Sequence, residues 1–322
     1  MKKILATLAT ATLAVAAHAY PDKPITLVVP FAAGGPTDKV ARDLGVALSK
    51  QLKGQSIVID NVGGAGGTLG AAKVAKAAPD GYTLLVHHIG MATSPALYRK
   101  MPYDTLGDFE YLGMINDVPM TLVGRSTLPA NNFGELVKWL EANKGKINLA
   151  NAGLGAASHL CGLLFQQSLK IDMTTVPYKG TAPAMTDLLG GQVDIMCDQT
   201  TNTSGQIEAG KVKAYAVTSP KRLTTPVLAK LPTLDESGMK GFNVGIWHGM
   251  YAPKGTPKAI QEQLNAALRA ALKDADFVKK QEALGAVVMT DARTGQVEHK
   301  KFVEAEIAKW GPVIKAAGQY AD

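Results

Sequence analysis

The 322-residue chain is poor in the residues that mark several protein classes. It has two cysteines, which excludes a small disulfide scaffold and a four-cysteine zinc site. Charged residues make up 19% and hydrophobic residues 46%, so the low hydrophobicity and high charge that keep a chain disordered are missing. Glycine (33) and proline (17) are far too few for a collagen repeat. Aromatics stand at 6%, and no Lys/Arg stripe interleaved with them offers a nucleic-acid footprint. There is no Gly-x-Ser-x-Gly elbow, no Walker A loop, no His-Glu-x-x-His and no Ser-x-x-Lys with its partners. No repeat of fixed period and no low-complexity linker interrupts the chain. At about 100–200 residues per domain, its length suits one large domain or two medium ones.

Long apolar runs are also scarce, with one exception at the start. Lys2 and Lys3 precede an uncharged run of Ala, Leu, Val and Thr over 4–17, and Ala17-His18-Ala19 puts small residues where a signal peptidase reads them. These are the three regions of a secretory signal, with cleavage expected after Ala19. The run is shorter than the ~20 residues of a membrane anchor, and no cysteine sits at the cleavage point to accept a lipid. No later segment offers 18 uncharged apolar residues, so the mature chain is expected to be soluble. It would carry 32 basic and 27 acidic residues, a net charge of +5. That mild excess suits either attraction of an anionic small molecule or general solubility, and with export it argues against nucleic acid. Export also places Cys161 and Cys197 in an oxidising compartment, where they are either a disulfide or two buried free thiols.

Along the mature chain, short β-branched runs alternate with helical periodicity. Strands are expected over 25–29, 56–60, 82–87, 120–124, 146–150, 174–178, 193–198, 214–218, 245–252 and 287–289. Helices are expected from Pro36 with Val40, Leu44, Ala47 and Leu48 on one face, and over 69–77, 132–143, 160–168, 184–189, 276–284 and 296–317; another closes over 208–211. A strongly amphipathic helix over 257–272 reads as capped by Thr256 with Pro257 at its first position. Residues 88–94 read as a loop. The alternation implies two mostly parallel βα sheets, with the chain passing between them near 119–124 and again between 219 and 249. Domain one would then be discontinuous, 20–122 plus 244–322, with domain two at 123–243. Ligands of such sheets sit outside the C-terminal strand ends, here in a cleft between the domains.

Three loops, 31–38, 151–159 and 178–183, leave strand ends and enter helices, and all are rich in Gly, Ala, Ser or Thr. Small side chains let backbone approach a ligand, and amides at a helix start attract anions, so a carboxylate can be held without arginine; alternatively the glycines only serve tight turns. Gly153-Leu-Gly-Ala-Ala-Ser158 is close to a dinucleotide fingerprint, but Ser158 stands at the third glycine and no acidic residue ends the following strand. No cofactor or metal is expected. His88, His159 and His248 lie beside predicted cleft loops, where they can donate to an oxyanion or sit as structural histidines. His299 reads as solvated on a polar helix face. Asp198 ends a strand and either lines the cleft or caps the sheet end, and Trp247 serves either the core or the ligand.

Several segments together resemble one family, the substrate-binding proteins of tripartite tricarboxylate transporters (TctC or Bug). They are Pro30-Phe-Ala-Ala-Gly-Gly-Pro-Thr-Asp38, Asn61-Val-Gly-Gly-Ala-Gly-Gly67, Pro79-Asp-Gly-Tyr-Thr-Leu84, Val176-Pro-Tyr-Lys-Gly-Thr-Ala-Pro183, Asp187-Leu-Leu-Gly-Gly-Gln-Val-Asp194, Leu231-Pro-Thr-Leu-Asp-Glu-Ser-Gly238 and Ala252-Pro-Lys-Gly-Thr-Pro257. They follow family order over essentially the whole mature chain. The resemblance implies an α/β periplasmic-binding-protein-like (type II) clamshell that closes on an organic carboxylate, aliphatic or aromatic. A monomer would then pass it to TctA/TctB-type membrane subunits. An enzyme or a sensor partner on the same fold is the alternative. The implied ligand contacts are Phe31, Ala33, Gly34, Gly35, Thr37 and Asp38 from the first loop. Asn151, Gly153, Gly155, Ala156, Ala157, Ser158 and His159 follow from the second, and Tyr178, Lys179 and Gly180 from the third. His88, Met91, Thr93 and Ser94 would form the far end, with Asp198 and Trp247 nearby. Many relatives carry a histidine within 89–92; this chain has Ile89-Gly-Met-Ala92 there and His87-His88 just before it.

Overall fold

The β-branched run Ile-Thr-Leu-Val-Val forms β1 (Ile25–Val29) and ends at Pro30, which cannot donate to a ladder. In the computed structural model, which describes residues 20–316 and Tyr320, the chain continues through α1 (Pro36–Gln51), β2 (Ile57–Asn61), α2 (Thr68–Ala75), β3 (Thr83–His88) and α3 (Gly90–Leu97). The expected signal, 1–19, lies outside the described residues. Next come β4 (Phe109–Arg125), α4 (Phe133–Ala142), β5 (Asn148–Asn151), α5 (Ala157–Leu169), β6 (Thr174–Pro177), α6 (Thr181–Leu189), β7 (Ile195–Gln199), α7 (Thr200–Glu208) and β8 (Val212–Val217). The chain then returns through β9 (Gly245–Pro253), α8 (Lys258–Ala271), α9 (Ala275–Ala283), β10 (Val287–Val288) and α10 (Gln296–Ala316).

Two sheets share one strand. The order is β2-β1-β3-β9-β4-β7-β5-β6, with β8 and β10 also on β4. Residues 109–119 of β4 pair with β9, whereas 120–125 pair with β7 and β8, so β4 changes lobes between Pro119 and Met120. Thr218 stitches this crossing to the return path: its hydroxyl accepts from the Met120 amide at 2.9 Å and donates to the Val244 carbonyl at 2.6 Å. Each lobe keeps a parallel set, β1 with β2 and β3, and β5 with β6 and β7. The expectation of mostly parallel sheets needs correction at the hinge, because β9 runs antiparallel to β3 and β4, and β4 to β7 and β8. Helices cover the faces. Leu44 and Leu48 of α1, Leu264 and Leu268 of α8 and Phe277 of α9 pack in one buried cluster with Leu27 and Val29.

Cys161 on α5 and Cys197 on β7 form a disulfide across 36 residues, which resolves the two readings of that pair. In the chain-entropy model such a loop contributes at most about 4 kcal/mol. Two local expectations are also corrected. Residues 88–94 are not a loop: α3 begins at Gly90 and packs on α10. The amphipathic helix starts at Lys258 with Pro257 in the cap position, and the Thr256 hydroxyl instead donates to the Pro253 carbonyl.

His299 is the clearest reversal, being fully buried rather than solvated. A register shift in the β4–β9 ladder between Tyr111 and Gly113 takes the Gly113 amide out of the ladder, and that amide donates to His299 Nδ1 at 3.0 Å. The proton therefore resides on Nε2, 3.3 Å from the Tyr251 hydroxyl. Gly249 leaves the room, since a Cβ there would collide with the ring. Burial pushes His299 down to about 3. The unfolded chain takes up this proton near pH 6.5 and the folded one only near 3. This histidine therefore lowers stability as pH falls below about 6.5, reaching about 1.4 kcal/mol per pH unit. His299→Gln is expected to flatten the acid limb by one proton in urea titrations between pH 6.5 and 4; an unchanged slope contradicts the assignment. His299→Leu leaves the Gly113 amide unpaired and should cost about 1–3 kcal/mol.

Candidate functional site

The lobes meet along a seam of backbone. The Ala32 amide donates to the Lys179 carbonyl at 3.1 Å, Thr93 Oγ1 to the Gly155 carbonyl at 3.1 Å and the Tyr98 hydroxyl to the Leu154 carbonyl at 2.7 Å. Glycine permits this approach. A Cβ on Gly63 would lie 2.7 Å from the Lys179 carbonyl oxygen, and one on Gly66 would overlap the Leu154 carbonyl.

Behind the seam lies a narrow pocket. One lobe supplies Phe31, Pro36, Thr37 and His88; the other supplies Ala152, Ala157, Ser158, Thr181, Asp198 and Gln199. The free space is about 10 Å³, the room of about one water molecule. Outside it, a groove of about 530 Å³ runs past Gly66, Tyr98, Leu154, Tyr178 and Lys179. The pocket sits at the C-terminal ends of β1, β3, β5 and β7, where open α/β sheets bind ligands.

Four helices start at this pocket. The cap positions of α1, α5, α6 and α7 are Gly35, Ala156, Gly180 and Gln199, and none has a side-chain cap hydrogen bond. Their first-turn amides and positive dipole ends favour an anion. No Lys or Arg is among the lining residues.

The polar side chains have defined roles. The Gly90 amide donates to His88 Nδ1 at 2.9 Å, so the neutral ring carries its proton on Nε2 and is a donor. Burial pushes His88 down to about 3, keeping it neutral, and holds His87 and His248 well below the ordinary range. Asp198 is fully buried, and burial raises it to about 7 although Asn202, the Gln199 amide and the Thr181 hydroxyl pull the other way. Gln199 Oε1, buried at the same pocket, has no hydrogen-bond partner within the protein. Buried polar atoms seldom stay unpaired, and an acceptor left open at the pocket wall marks a site for a polar guest.

Of the residues expected from sequence, Phe31, Thr37, His88, Ala157, Ser158 and Asp198 line the pocket, and Gly153, Tyr178 and Lys179 line the outer groove. Tyr178 turns its hydroxyl to Asp187. Others shape the loops. Asn151 Oδ1 accepts from the Gly153 amide and His159 Nδ1 from the Gly155 amide, while Gly35, Ala156 and Gly180 hold cap positions. Ala33 and Gly34 are exposed on the first loop. Asp38 is consumed within that loop. Burial alone would raise it, but hydrogen bonds from Arg42, the Gly34 amide and Asn61 outweigh this and hold it below the usual carboxylate range. Ser94 is buried on α3, its hydroxyl unpaired, facing the Gly155 turn. The structure takes two expected residues away from the pocket. Met91 points into the core from α3, and Trp247 packs edge-on against Phe302 while its ring nitrogen donates to Glu306.

Pro36, Ala152, Thr181 and Gln199 line the pocket but were absent from the expected contacts. The first three lie in the three loops already singled out, and Gln199 follows Asp198 at its strand end, so alternate positions of those loops carried the signal.

A model of the tripartite tricarboxylate transporter family receptor, TctC, matches residues 40–319. The periplasmic binding protein BugD superposes with a TM-score of 0.91 at 51% identity, covering 94% of this chain and all of that one. MatC of Rhodopseudomonas palustris, with bound malate, gives 0.87 at 42% identity over 92% of this chain and all of its own. The R. palustris protein Rpa4515, with adipate, gives 0.86 at 36% identity over 93% and 98%. A two-lobed α/β clamshell of periplasmic binding proteins is therefore the fold, and the chain belongs to the tripartite tricarboxylate transporter receptor family, TctC.

Proposed function

We propose that this protein, exported to the periplasm after cleavage behind Ala19, captures a short aliphatic dicarboxylate by closing its lobes. It then delivers the ligand, as a monomer, to TctA/TctB-type membrane subunits. The lobes in this reading are 20–122 with 244–322, and 123–243. The family is one of receptors, which bind and do not turn over. One observation carries the choice of ligand: four helix starts without side-chain caps converge from both lobes on a pocket lined by no cation. Such a site binds a carboxylate through amides and a neutral His88 N–H. The malate and adipate held by two relatives support the dicarboxylate class, aliphatic rather than aromatic. Because the jaws meet so closely, a ligand enters only when they part, and binding shifts an open–closed equilibrium.

The reading is checked by a thermal-shift panel. A C4 dicarboxylate at 100 times its dissociation constant should stabilise the fold by about 2.7 kcal/mol, with benzoate and phthalate inactive. Stabilisation by the aromatics alone contradicts it.

Asp198 makes binding pH-dependent. Its folded value of about 7 is raised, so an anion is best received when the carboxyl is protonated. Affinity for a dicarboxylate should fall as pH rises from 6 to 8, and Asp198→Asn should remove that slope in calorimetry. The same group's own contribution to stability is fully present below about pH 4 and is lost as pH rises to about 7.

Gly63 has ordinary backbone angles, so Gly63→Ala strains nothing locally by conformation, yet its methyl meets the Lys179 carbonyl across the seam. Closure should be hindered, with ligand affinity down about tenfold or more, equivalent to at least about 1.4 kcal/mol, and a larger radius of gyration in ligand. Wild-type affinity in this variant overturns the proposed closure.

A further inference from the structure

A chain of buried hydrogen bonds runs from the outside of the N-terminal lobe to the pocket wall. Asp43 Oδ2 accepts from Gln281 Nε2 at 3.0 Å, Gln281 Oε1 accepts from Asn116 Nδ2 at 2.9 Å, and Asn116 Oδ1 lies 2.8 Å from His248 Nδ1. His248 Nε2 lies 3.2 Å from Thr37 Oγ1, and Thr37 lines the pocket. Asn116, Gln281 and His248 are fully buried.

The chain has a direction, set at its outer end. Asp43 lies beside Lys39 and Lys280, and as a carboxylate it has no hydrogen to give. Gln281 must turn its amide nitrogen to Asp43, leaving its oxygen for Asn116. Asn116 must then turn its nitrogen to Gln281 and its oxygen to His248. That oxygen only accepts, so His248 carries its proton on Nδ1 and bares the lone pair of Nε2. A neutral ring has just one such proton, and burial keeps His248 neutral. Thr37 has one hydroxyl hydrogen, and it is spent on His248 Nε2. What its oxygen turns to the pocket is lone pairs alone.

We propose that this relay makes Thr37 a dedicated hydrogen-bond acceptor, so that the site selects a dicarboxylate bearing a hydrogen-bond donor, a hydroxyl or an ammonium, over the plain diacid. The inference deepens the dicarboxylate reading above and rests on it. The two polar walls of the first lobe are then complementary. His88 Nε2–H takes an acceptor such as a carboxylate oxygen, and Thr37 takes a donor. A diacid without one places carboxylate oxygen or bare methylene against lone pairs, and an acceptor left unpaired in a closed pocket discriminates strongly. Asn116 acts through His248 and is a positioning residue.

Calorimetry with L-malate, L-aspartate and succinate tests this. The wild type should bind malate or aspartate at least tenfold tighter than succinate, and which of the two it prefers separates the hydroxyl from the ammonium. Thr37→Val, nearly isosteric, should collapse the ratio towards one. Asn116→Leu, which touches nothing in the pocket, frees His248 to carry its proton on Nε2 and should also collapse it. Should that variant fail to fold, nitrogen-15 NMR of the wild-type histidines gives the direct reading, with His248 protonated on Nδ1 and bare on Nε2. Equal affinities for all three ligands, or a His248 proton on Nε2, overturn the relay while leaving the dicarboxylate reading standing. Failure of all three to bind contradicts that reading and the inference together.

Discussion

Backbone amides at the starts of helices from both lobes meet in one small space, and most of the remaining structure serves that meeting. Amide dipoles are fixed in direction by their helices and gain strength where water is excluded. They hold an anion without the desolvation cost of burying a lysine or arginine. The cost falls elsewhere: Gln199 Oε1 stays unpaired inside the lobe interface. A binding protein that must release its cargo benefits from such a compromise, because the closed form is favoured strongly only when a guest completes the hydrogen bonding.

The hinge and the seam are built from the same economy of backbone. β4 serves both lobes by exchanging β9 for β7 and β8 between Pro119 and Met120, and Thr218 ties the two crossings together. At the seam, glycines let carbonyls of one loop touch amides of the other. The disulfide between α5 and β7 lies wholly in the second lobe, where it ties the helix that starts at the pocket to a strand that ends there, without crossing the hinge.

Much of this was legible in sequence because period and turn chemistry act locally. The run over 25–29, Pro36 at the first position of α1, and the small-residue loops at 31–38, 151–159 and 178–183 all declare themselves within a dozen residues. The misses share a different cause. α3 contains Gly90, Thr93, Ser94 and Pro95, residues of poor helix propensity, and it is held by packing on α10. The outer half of β4 contains Gly113, Asn116 and Pro119, which read as breakers until the bulges and the buried partners are seen. His299 looked solvated because its partner is a backbone amide 186 positions away. The relay through Asp43, Gln281, Asn116 and His248 is invisible for the same reason, since its members come from four separate elements and no spacing connects them.

The central claim, that main-chain groups of both lobes grip the ligand, is tested most directly by amide hydrogen exchange with and without L-malate. The account predicts ligand-induced protection of the first-turn amides of α1, α5 and α6, those of Thr37, Asp38, Ser158 and Ala182 among them, with slowed exchange on both sides of the seam. Protection confined to one lobe, or to a surface away from these helix starts, would contradict it.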